Sequence, residues 1–160
     1  MNEPRPTNES EATTQDRNLD AVQFSTFTVA GRIYGIDVRS VQEVTKSLPI
    51  TNVPLAPTYI HGLINLRGQI ATAVSLKDLF ELKEPAPPEF MNVVCRLDGF
   101  LISLLVDQIG DVIELSSDAF EQTPDTISSQ VAKFMAGIYK TPGNLISIID
   151  VRRVLEVLND

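Results

Sequence analysis

The sequence contains an internal repeat, and no other feature restricts its possible folds as strongly. GLINLRGQIATAVSLKDLFEL at 62–82 aligns without a gap with GIYKTPGNLISIIDVRRVLEV at 137–157, and AGRIYGIDVRSVQEV at 30–44 aligns with DGFLISLLVDQIGDV at 98–112. The two matches occur in the same order on either side of the proline-rich break EPAPPE at 84–89. Such periodicity is typical of a duplicated unit. Each copy has only about 65 residues, so we expect the copies to stabilise each other by packing together.

The first copy has the sequence pattern of two β-hairpins. FSTFTVAGRIYGIDV, from residue 24, alternates apolar and polar side chains on either side of a turn at Ala30-Gly31-Arg32. GLINLRGQIATAVSL is rich in β-branched residues and has a turn signal at Gly68-Gln69. Both patterns predict hairpins, and a similar β-rich texture follows the proline-rich break. The sequence therefore predicts a mostly β protein built from a duplicated, barrel-like unit.

Short helices are predicted at three places. Apolar residues recur at helical spacing in VRSVQEV at 38–44, directly after Asp37, which can cap a helix. LKDLF at 76–80 predicts one or two helical turns, and VRRVLEVL at 151–158 predicts an amphipathic helix at the end of the chain.

Composition and charge exclude several classes of function. The net charge is −8 and the basic residues are isolated or paired, which argues against binding to a nucleic-acid backbone. Hydrophobic residues make up 43% of the chain, but no apolar run approaches the length of a transmembrane helix. Residues 1–21 are polar and acidic and predict a disordered tail. A single cysteine agrees with a reducing cytoplasm, and we expect a soluble protein without direct membrane insertion.

The residues that usually carry chemistry are sparse. Cys95 and His61 are the only cysteine and histidine, so zinc and redox sites are not expected, and both residues are predicted to be structural. Asp107, Asp111 and Glu114 have a spacing that would suit a cation, but an ordinary solvated face is the favoured interpretation. Glycine-rich phosphate-binding motifs are absent from the sequence. We therefore expect no cofactor, no metal and no catalysis.

Arg67 is the residue that the repeat singles out. In HGLINLRGQ, Gly62 and Gly68 align with glycines of the second copy, whereas Arg67 aligns with Pro142. The second copy is thus expected to form the same hairpin turn without an arginine. We therefore expect Arg67 to bind a partner rather than to form the hairpin.

Four segments together resemble the chemotaxis coupling-protein (CheW-like) family. GIDVRSVQEV, HGLINLRGQIATAVSLKDLF, LISLLVDQIGDVIEL and YKTPGNLISIIDVRRVL occur in this order, and the resemblance covers about residues 22–158. It implies two intertwined five-stranded SH3-like β-barrels. We expect residues 22–88 to form the first barrel and residues 89–160 the second barrel with the C-terminal helix.

The resemblance also implies a function without catalysis. Members of the family are cytoplasmic adaptors that link transmembrane chemoreceptors to a histidine autokinase in receptor arrays at the membrane. The helical tips of methyl-accepting chemoreceptors dock between the barrels, and the regulatory domain of the kinase contacts their outer faces. Two alternatives stay open: an adaptor of a non-flagellar chemosensory pathway, and a small-ligand-binding module.

The resemblance assigns a receptor-binding groove to five positions. Apolar residues in a groove can accept an amphipathic helix, and an arginine at its edge can form a two-point hydrogen bond with a carboxylate. A place in the core is the alternative for the apolar positions, and a solvated helix face is the alternative for the glutamate. The positions are Val41, Glu43, Arg67, Leu104 and Val106.

One segment departs from the family pattern. Ser75 and Lys77 stand where an aspartate and an arginine are expected, whereas the second copy keeps Asp150 and Arg152. A polar network that the first aspartate would anchor is therefore expected to be missing or rebuilt.

Overall fold

The computed structural model describes residues 21–159. The tail predicted at 1–21 lies outside these residues, except for Ala21, which begins the first strand. The strands are β1 Ala21–Val29, β2 Arg32–Asp37, β3 Val41–Thr45, β4 Ile60–Leu66, β5 Gln69–Ser75, β6 Met91–Leu97, β7 Phe100–Val106, β8 Gln108–Ser116, β9 Phe120–Glu121, β10 Met135–Thr141 and β11 Asn144–Ile149. The helices are α1 Leu76–Leu79, α2 Ser129–Ala132 and α3 Val151–Leu158, with 3₁₀ turns η1 Val38–Ser40 and η2 Ser117–Ala119.

Each copy contains two hairpins that turn over two residues. The turns are Ala30-Gly31, Arg67-Gly68, Asp98-Gly99 and Pro142-Gly143. In the first three, both residues have positive φ, as in the type I′ turn whose twist matches that of the strands. The turn predicted at Gly68-Gln69 is one residue too late, because Gln69 pairs with Leu66 and Arg67 takes the first turn position.

The two sheets exchange hairpins between the two copies. The five-stranded sheet has the order β3-β6-β7-β5-β4, and the six-stranded sheet has the order β8-β1-β2-β11-β10-β9. The second copy's β6–β7 hairpin thus lies inside the sheet of the first copy, and the first copy's β1–β2 hairpin lies inside the other sheet. In both sheets the exchanged hairpin meets its neighbour in parallel, β7 with β5 and β2 with β11. Each sheet therefore contains strands from residues 22–88 and strands from residues 89–160.

The largest apolar cluster lies between the two sheets. It contains Phe27 and Tyr34 from the six-stranded sheet, and Leu104 and Val106 from the five-stranded sheet. Buried residues of all three helices complete it. The predicted helices at 76–80 and 151–158 are confirmed by α1 and α3, whose apolar faces pack on this central cluster.

Each sheet also encloses an apolar cluster of its own. The cluster of the five-stranded sheet consists of Ile64, Leu66, Ala71, Ala73, Val94, Leu101 and Leu105. The cluster of the six-stranded sheet consists of Phe24, Tyr139, Ile146 and Ile148. A flat sheet cannot bury one face against itself, so each sheet must curve around its cluster. The prediction of a mostly β protein with two intertwined barrels is confirmed, and the sixth strand, β9, has only two residues.

In each copy, one glycine lies where another chain segment passes close to its backbone. Gly62 and Gly137 have positive φ, +144° and +157°, and both lie beside a β-bulge. A Cβ atom at Gly62 would collide with the carbonyl oxygen of Thr51, and one at Gly137 would collide with Phe120 and Glu121. Because both crossings exclude a side chain, the repeat in the sequence corresponds to a repeat in backbone geometry.

The helix predicted over 38–44 is wrong beyond its first turn. Asp37 does cap a turn, since its carboxylate accepts a hydrogen bond from the backbone N–H of Arg39 at 2.9 Å. The turn ends at Ser40, and from Val41 the chain continues as β3, which pairs with β6.

A β-bulge in β3 explains why Val41 and Val44 have a three-residue spacing that resembles a helix. Val41 lies opposite Cys95 and Val44 lies opposite Val93, with a register shift between Val41 and Glu43. Residues three apart in a regular strand face opposite sides. Here the bulge places both valines opposite residues of the central cluster, so a three-residue spacing marks one face of a strand.

Candidate functional site

Arg67 and Glu43 form a two-point ion pair at the end of the five-stranded sheet. Arg67 Nη1 donates to Glu43 Oε2 at 2.5 Å, and Nη2 donates to Oε1 at 3.1 Å. The glutamate lies on β3 and the arginine in the β4–β5 turn, 24 residues apart. The structure therefore brings together two of the predicted site residues.

The turn presents the arginine to solvent. Arg67 has φ +54°, a left-handed conformation that is uncommon for a residue with a side chain. The amide oxygen of Asn65 accepts a hydrogen bond from the backbone N–H of Gly68 at 2.9 Å and so closes the turn. The Arg67 side chain is 76% exposed, whereas that of Glu43 is only 19% exposed. Glu43 thus serves as a fixed anchor, and Arg67 is the half of the pair that a partner can reach.

Val41 and Val44 supply apolar surface on the same strand. Val41 is half-buried and packs against the central cluster. Val44, in the same phase, is 42% exposed. Sequence reasoning missed Val44 as a site residue, although its three-residue spacing from Val41 was visible. The two valines and Glu43, the anchor of the ion pair, thus belong to one strand, β3, with Glu43 opposite Val94 and the valines opposite Cys95 and Val93.

Leu104 and Val106 are not on this surface. Both side chains are fully buried in the central cluster, so the alternative of a core position applies to them. Their strand, β7, lies in the middle of the five-stranded sheet, and six of its seven residues are buried. A partner can contact neither side chain without disrupting the core.

The departure from the family pattern at Ser75 leaves the local structure intact. Ser75 Oγ accepts a hydrogen bond from the backbone N–H of Asp78 and caps α1, as Asp150 caps α3 in the second copy. Lys77 Nζ donates to the carbonyl oxygen of Leu82 at 3.2 Å. A polar contact is also present nearby, because His61 Nε2 lies 2.8 Å from Asp78 Oδ2.

Cys95 and Asp107 have structural roles. Cys95 is buried in the central cluster, and burial raises the pKa of its thiol to about 12, so the reactive thiolate is scarce at neutral pH. Asp107 Oδ2 accepts a hydrogen bond from the backbone N–H of Ala30 at 2.9 Å and ties β7 to the first hairpin. Among residues 21–159, no group of three or more His, Cys, Asp or Glu side chains is placed to hold a metal ion.

The site can therefore bind a protein surface. The exposed Val44 and the half-buried Val41 can contact the apolar face of a helix. The planar guanidinium of Arg67 can bond carbonyl or carboxylate oxygens at two points. Glu43 already occupies part of the guanidinium, so a partner would share Arg67 with Glu43 or displace it.

Comparison with known proteins places this chain in a family. The family model described as a CheW-like domain matches residues 23–159. Chemotaxis protein CheW of Treponema pallidum (strain Nichols) is 25% identical over 142 residues, which cover 86% of this chain and 84% of the relative. Chemotaxis protein CheW of Bacillus subtilis (strain 168) is 29% identical over 131 residues, with 81% and 84% covered.

A solved structure is also similar to this chain, in fold and in sequence. The crystal structure of scaffolding protein TtCheW from Thermoanaerobacter tengcongensis superposes with a TM-score of 0.73 and 32% sequence identity. The match covers 81% of this chain and 88% of that chain. Since the family model spans nearly all the described residues, this chain belongs to the CheW-like family.

Proposed function

We propose that the chain is a non-catalytic adaptor that couples transmembrane chemoreceptors to a histidine autokinase in a bacterial chemosensory array. The observation that carries the proposal is the exposed Arg67, anchored by Glu43, in a chain that matches the CheW-like domain over residues 23–159. The relatives named above are chemotaxis proteins, and the solved neighbour is a scaffolding protein.

The surface around β3 is the proposed receptor-binding site. Val44 and the exposed part of Val41 would contact the apolar face of a receptor's helical tip. Arg67 would bond an oxygen at the edge of that helix, with Glu43 holding the guanidinium in place. Leu104 and Val106 would support this surface from the core.

The described residues offer little to a catalytic mechanism, which supports the proposal of a binding protein. The Cys95 thiol is buried, and His61 is hydrogen-bonded to Asp78 and packs edge-on against Phe90. Within residues 21–159, no helix is long and apolar enough to cross a membrane. We propose that the protein acts in the cytoplasm and reaches the membrane through receptors. The comparisons do not favour a small-ligand module.

Co-sedimentation tests the proposal directly. Membranes that carry chemoreceptors of the same organism are mixed with the purified kinase and with this protein, and are then pelleted. We expect the protein to pellet with receptor membranes and to increase the amount of kinase in the pellet. Receptor-free membranes are the control. A protein that stays in the supernatant, and leaves the kinase there, would contradict the proposed function.

A further inference from the structure

The two barrels differ at a place where aromatic side chains fill one of them. In the barrel of the five-stranded sheet, the His61 ring packs edge-on against Phe90, with ring centroids 5.5 Å apart. At the equivalent positions of the other barrel, the repeat places Ala136 and Val22. The strand registers agree with this equivalence, because β1 pairs with β2 and β8 in the same register in which β6 pairs with β7 and β3. Two rings of one barrel thus correspond to two small side chains of the other.

A depression of about 360 Å³ lies at this place in the barrel of the six-stranded sheet. Val22 and Ala136 both line it, and its floor consists of the buried side chains of Phe24, Ile36 and Ile148. Sites for small molecules typically have volumes of about 300–1,000 Å³ and mostly apolar linings. The depression therefore has the size and the lining of a small-ligand site.

The lining favours an aromatic ligand. Phe24 lies on the floor, and Phe120, which is 40% exposed, lies at the rim. Both rings already pack tilted against Tyr139, with centroids 5.3 Å and 5.1 Å away, and a further ring can join such a cluster in a tilted or offset geometry. In the other barrel, Asn92 occupies the position of Phe24 and is hydrogen-bonded to Ser103. The aromatic floor is thus specific to the barrel of the six-stranded sheet.

Asp150 provides a hydrogen-bond acceptor at the same depression. Its Oδ1 accepts a hydrogen bond from the backbone N–H of Arg152 at 3.0 Å, and Arg153 Nε lies 3.5 Å from Oδ2. Because each carboxylate oxygen can accept two hydrogen bonds, Oδ2 has capacity for a further donor. Asp37 also lines the depression, but both of its oxygens accept hydrogen bonds from Arg39. Asp150 is therefore the carboxylate that a ligand can use.

We propose that the depression binds a small nitrogen heteroaromatic compound, whose ring packs against Phe24 and Phe120 and whose N–H donates to Asp150. A ring that carries a carboxylate is disfavoured, because the chain has a net charge of −8 and Asp150 lies at the site. The site belongs to the six-stranded sheet, whereas Arg67 and Glu43 belong to the five-stranded sheet. It would give the adaptor an additional ligand site, and the inference does not depend on the proposed adaptor function.

The other barrel supplies the chemical precedent for this ligand. There the His61 ring combines edge-on packing against Phe90 with a polar contact to Asp78, whose Oδ2 lies 2.8 Å from His61 Nε2. A free heteroaromatic ring would make the same two kinds of contact in the depression. The chain itself thus shows which chemistry suits this part of the barrel.

A titration with indole, followed by the chemical shifts of backbone amides in NMR spectra, tests the inference. We expect saturable shifts that concentrate at the lining residues Val22, Phe120 and Ala136. Benzofuran has the shape of indole but carries an oxygen atom in place of the N–H group. It should bind about fivefold more weakly, a typical effect of one hydrogen bond. Equal affinities for the two compounds would contradict the proposed hydrogen bond to Asp150.

A variant that fills the depression provides the second test. Ala136→His introduces the residue that the other barrel has at this position, and it should weaken indole binding by about tenfold or more. Ala86→His adds the same side chain at an exposed position of the proline-rich break and should leave the affinity unchanged. Circular dichroism melting curves check that both variants are folded, and Val22→Phe replaces Ala136→His if the latter is not.

Two results would overturn the inference. One is an indole titration in which the amides of the lining residues do not shift. The other is a folded, filled variant that binds indole as tightly as the wild type. Neither result bears on the adaptor function, which the co-sedimentation experiment tests separately.

Discussion

Arg67 in the β4–β5 turn is held at two points by Glu43 of β3, which is far less exposed than the arginine. The pair joins two elements of the same sheet that are not hydrogen-bonded neighbours, since β3 and β4 lie at opposite ends of the strand order. The arginine is thereby oriented before any partner arrives, which lowers the entropy that binding must overcome.

Replacing Arg67 by alanine should separate binding from folding. Because the side chain is 76% exposed, we expect the free energy of unfolding to change by no more than about 1 kcal/mol. Binding to a receptor cytoplasmic fragment should weaken by about 1–3 kcal/mol, the range for loss of a charged hydrogen-bond donor. Chemical denaturation and calorimetry measure the two quantities. Arg39→Ala, which removes another exposed arginine, is the control, and a large loss of stability in Arg67→Ala would show a structural role instead.

Glu43→Gln tests whether Glu43 orients the Arg67 side chain. The amide keeps the shape of the side chain but removes its charge, so Arg67 becomes free to move. We expect weaker receptor binding than in the wild type, and a double variant with Arg67→Ala that binds no worse than Arg67→Ala alone. Additive losses in the double variant would mean that Glu43 acts on the partner independently of Arg67.

Leu104→Ala should behave as a core substitution. Its side chain is fully buried between the sheets, so we expect a loss of about 2–5 kcal/mol in the free energy of unfolding. Val112→Ala, at an exposed position of β8, should change it by about 0.5 kcal/mol or less. Urea denaturation measures both. A Leu104→Ala protein of unchanged stability would contradict the assignment of Leu104 to the core.

Gly62→Ala and Gly137→Ala should lower the stability of the folded protein to a similar extent. Each added methyl group would meet backbone at a chain crossing, at a φ that disfavours side chains, and we expect a loss of about 2–5 kcal/mol in each variant. Gly143→Ala is the matched control, because its φ is also positive but no atom lies near the added methyl group. It should cost only about 1–2 kcal/mol. Tolerance of alanine at either crossing would argue against the equivalence of the two copies.

The repeat predicted more of this fold than any local pattern did. It gave the order of hairpins and short helices, and it isolated Arg67, because the second copy has Pro142 in its place. It could not show the exchange of hairpins, since an alignment of copies is the same whether each hairpin pairs within its copy or across copies. Which strands pair is decided by burial of all three apolar clusters at once.

One wrong prediction and one open alternative have a local physical cause. The spacing of Val38, Val41 and Val44 suggested a helix, but the β-bulge after Val41 gives a strand the same spacing. The run LISLLV did not indicate which of its residues are buried on which face. A central strand with apolar clusters on both faces has apolar residues at nearly every position. A surface role for Leu104 and Val106 was therefore not distinguishable from a core role in the sequence.

The contact between Glu43 and Arg67 also depends on tertiary structure. The two residues are 24 positions apart, and only the curvature of the five-stranded sheet brings β3 and the β4–β5 turn together. The sequence predicted both residues through the family resemblance, but it did not predict that they contact each other.

Kinase output in a reconstituted array tests the central claim most directly. Purified kinase, receptor-bearing membranes and this protein are combined, and phosphate incorporation into the kinase is measured with each component omitted in turn. We expect a rise in autophosphorylation only when all three are present, because an adaptor links the conformational equilibria of receptor and kinase. Kinase output that is the same with and without this protein, in the presence of receptors that bind it, would contradict the account.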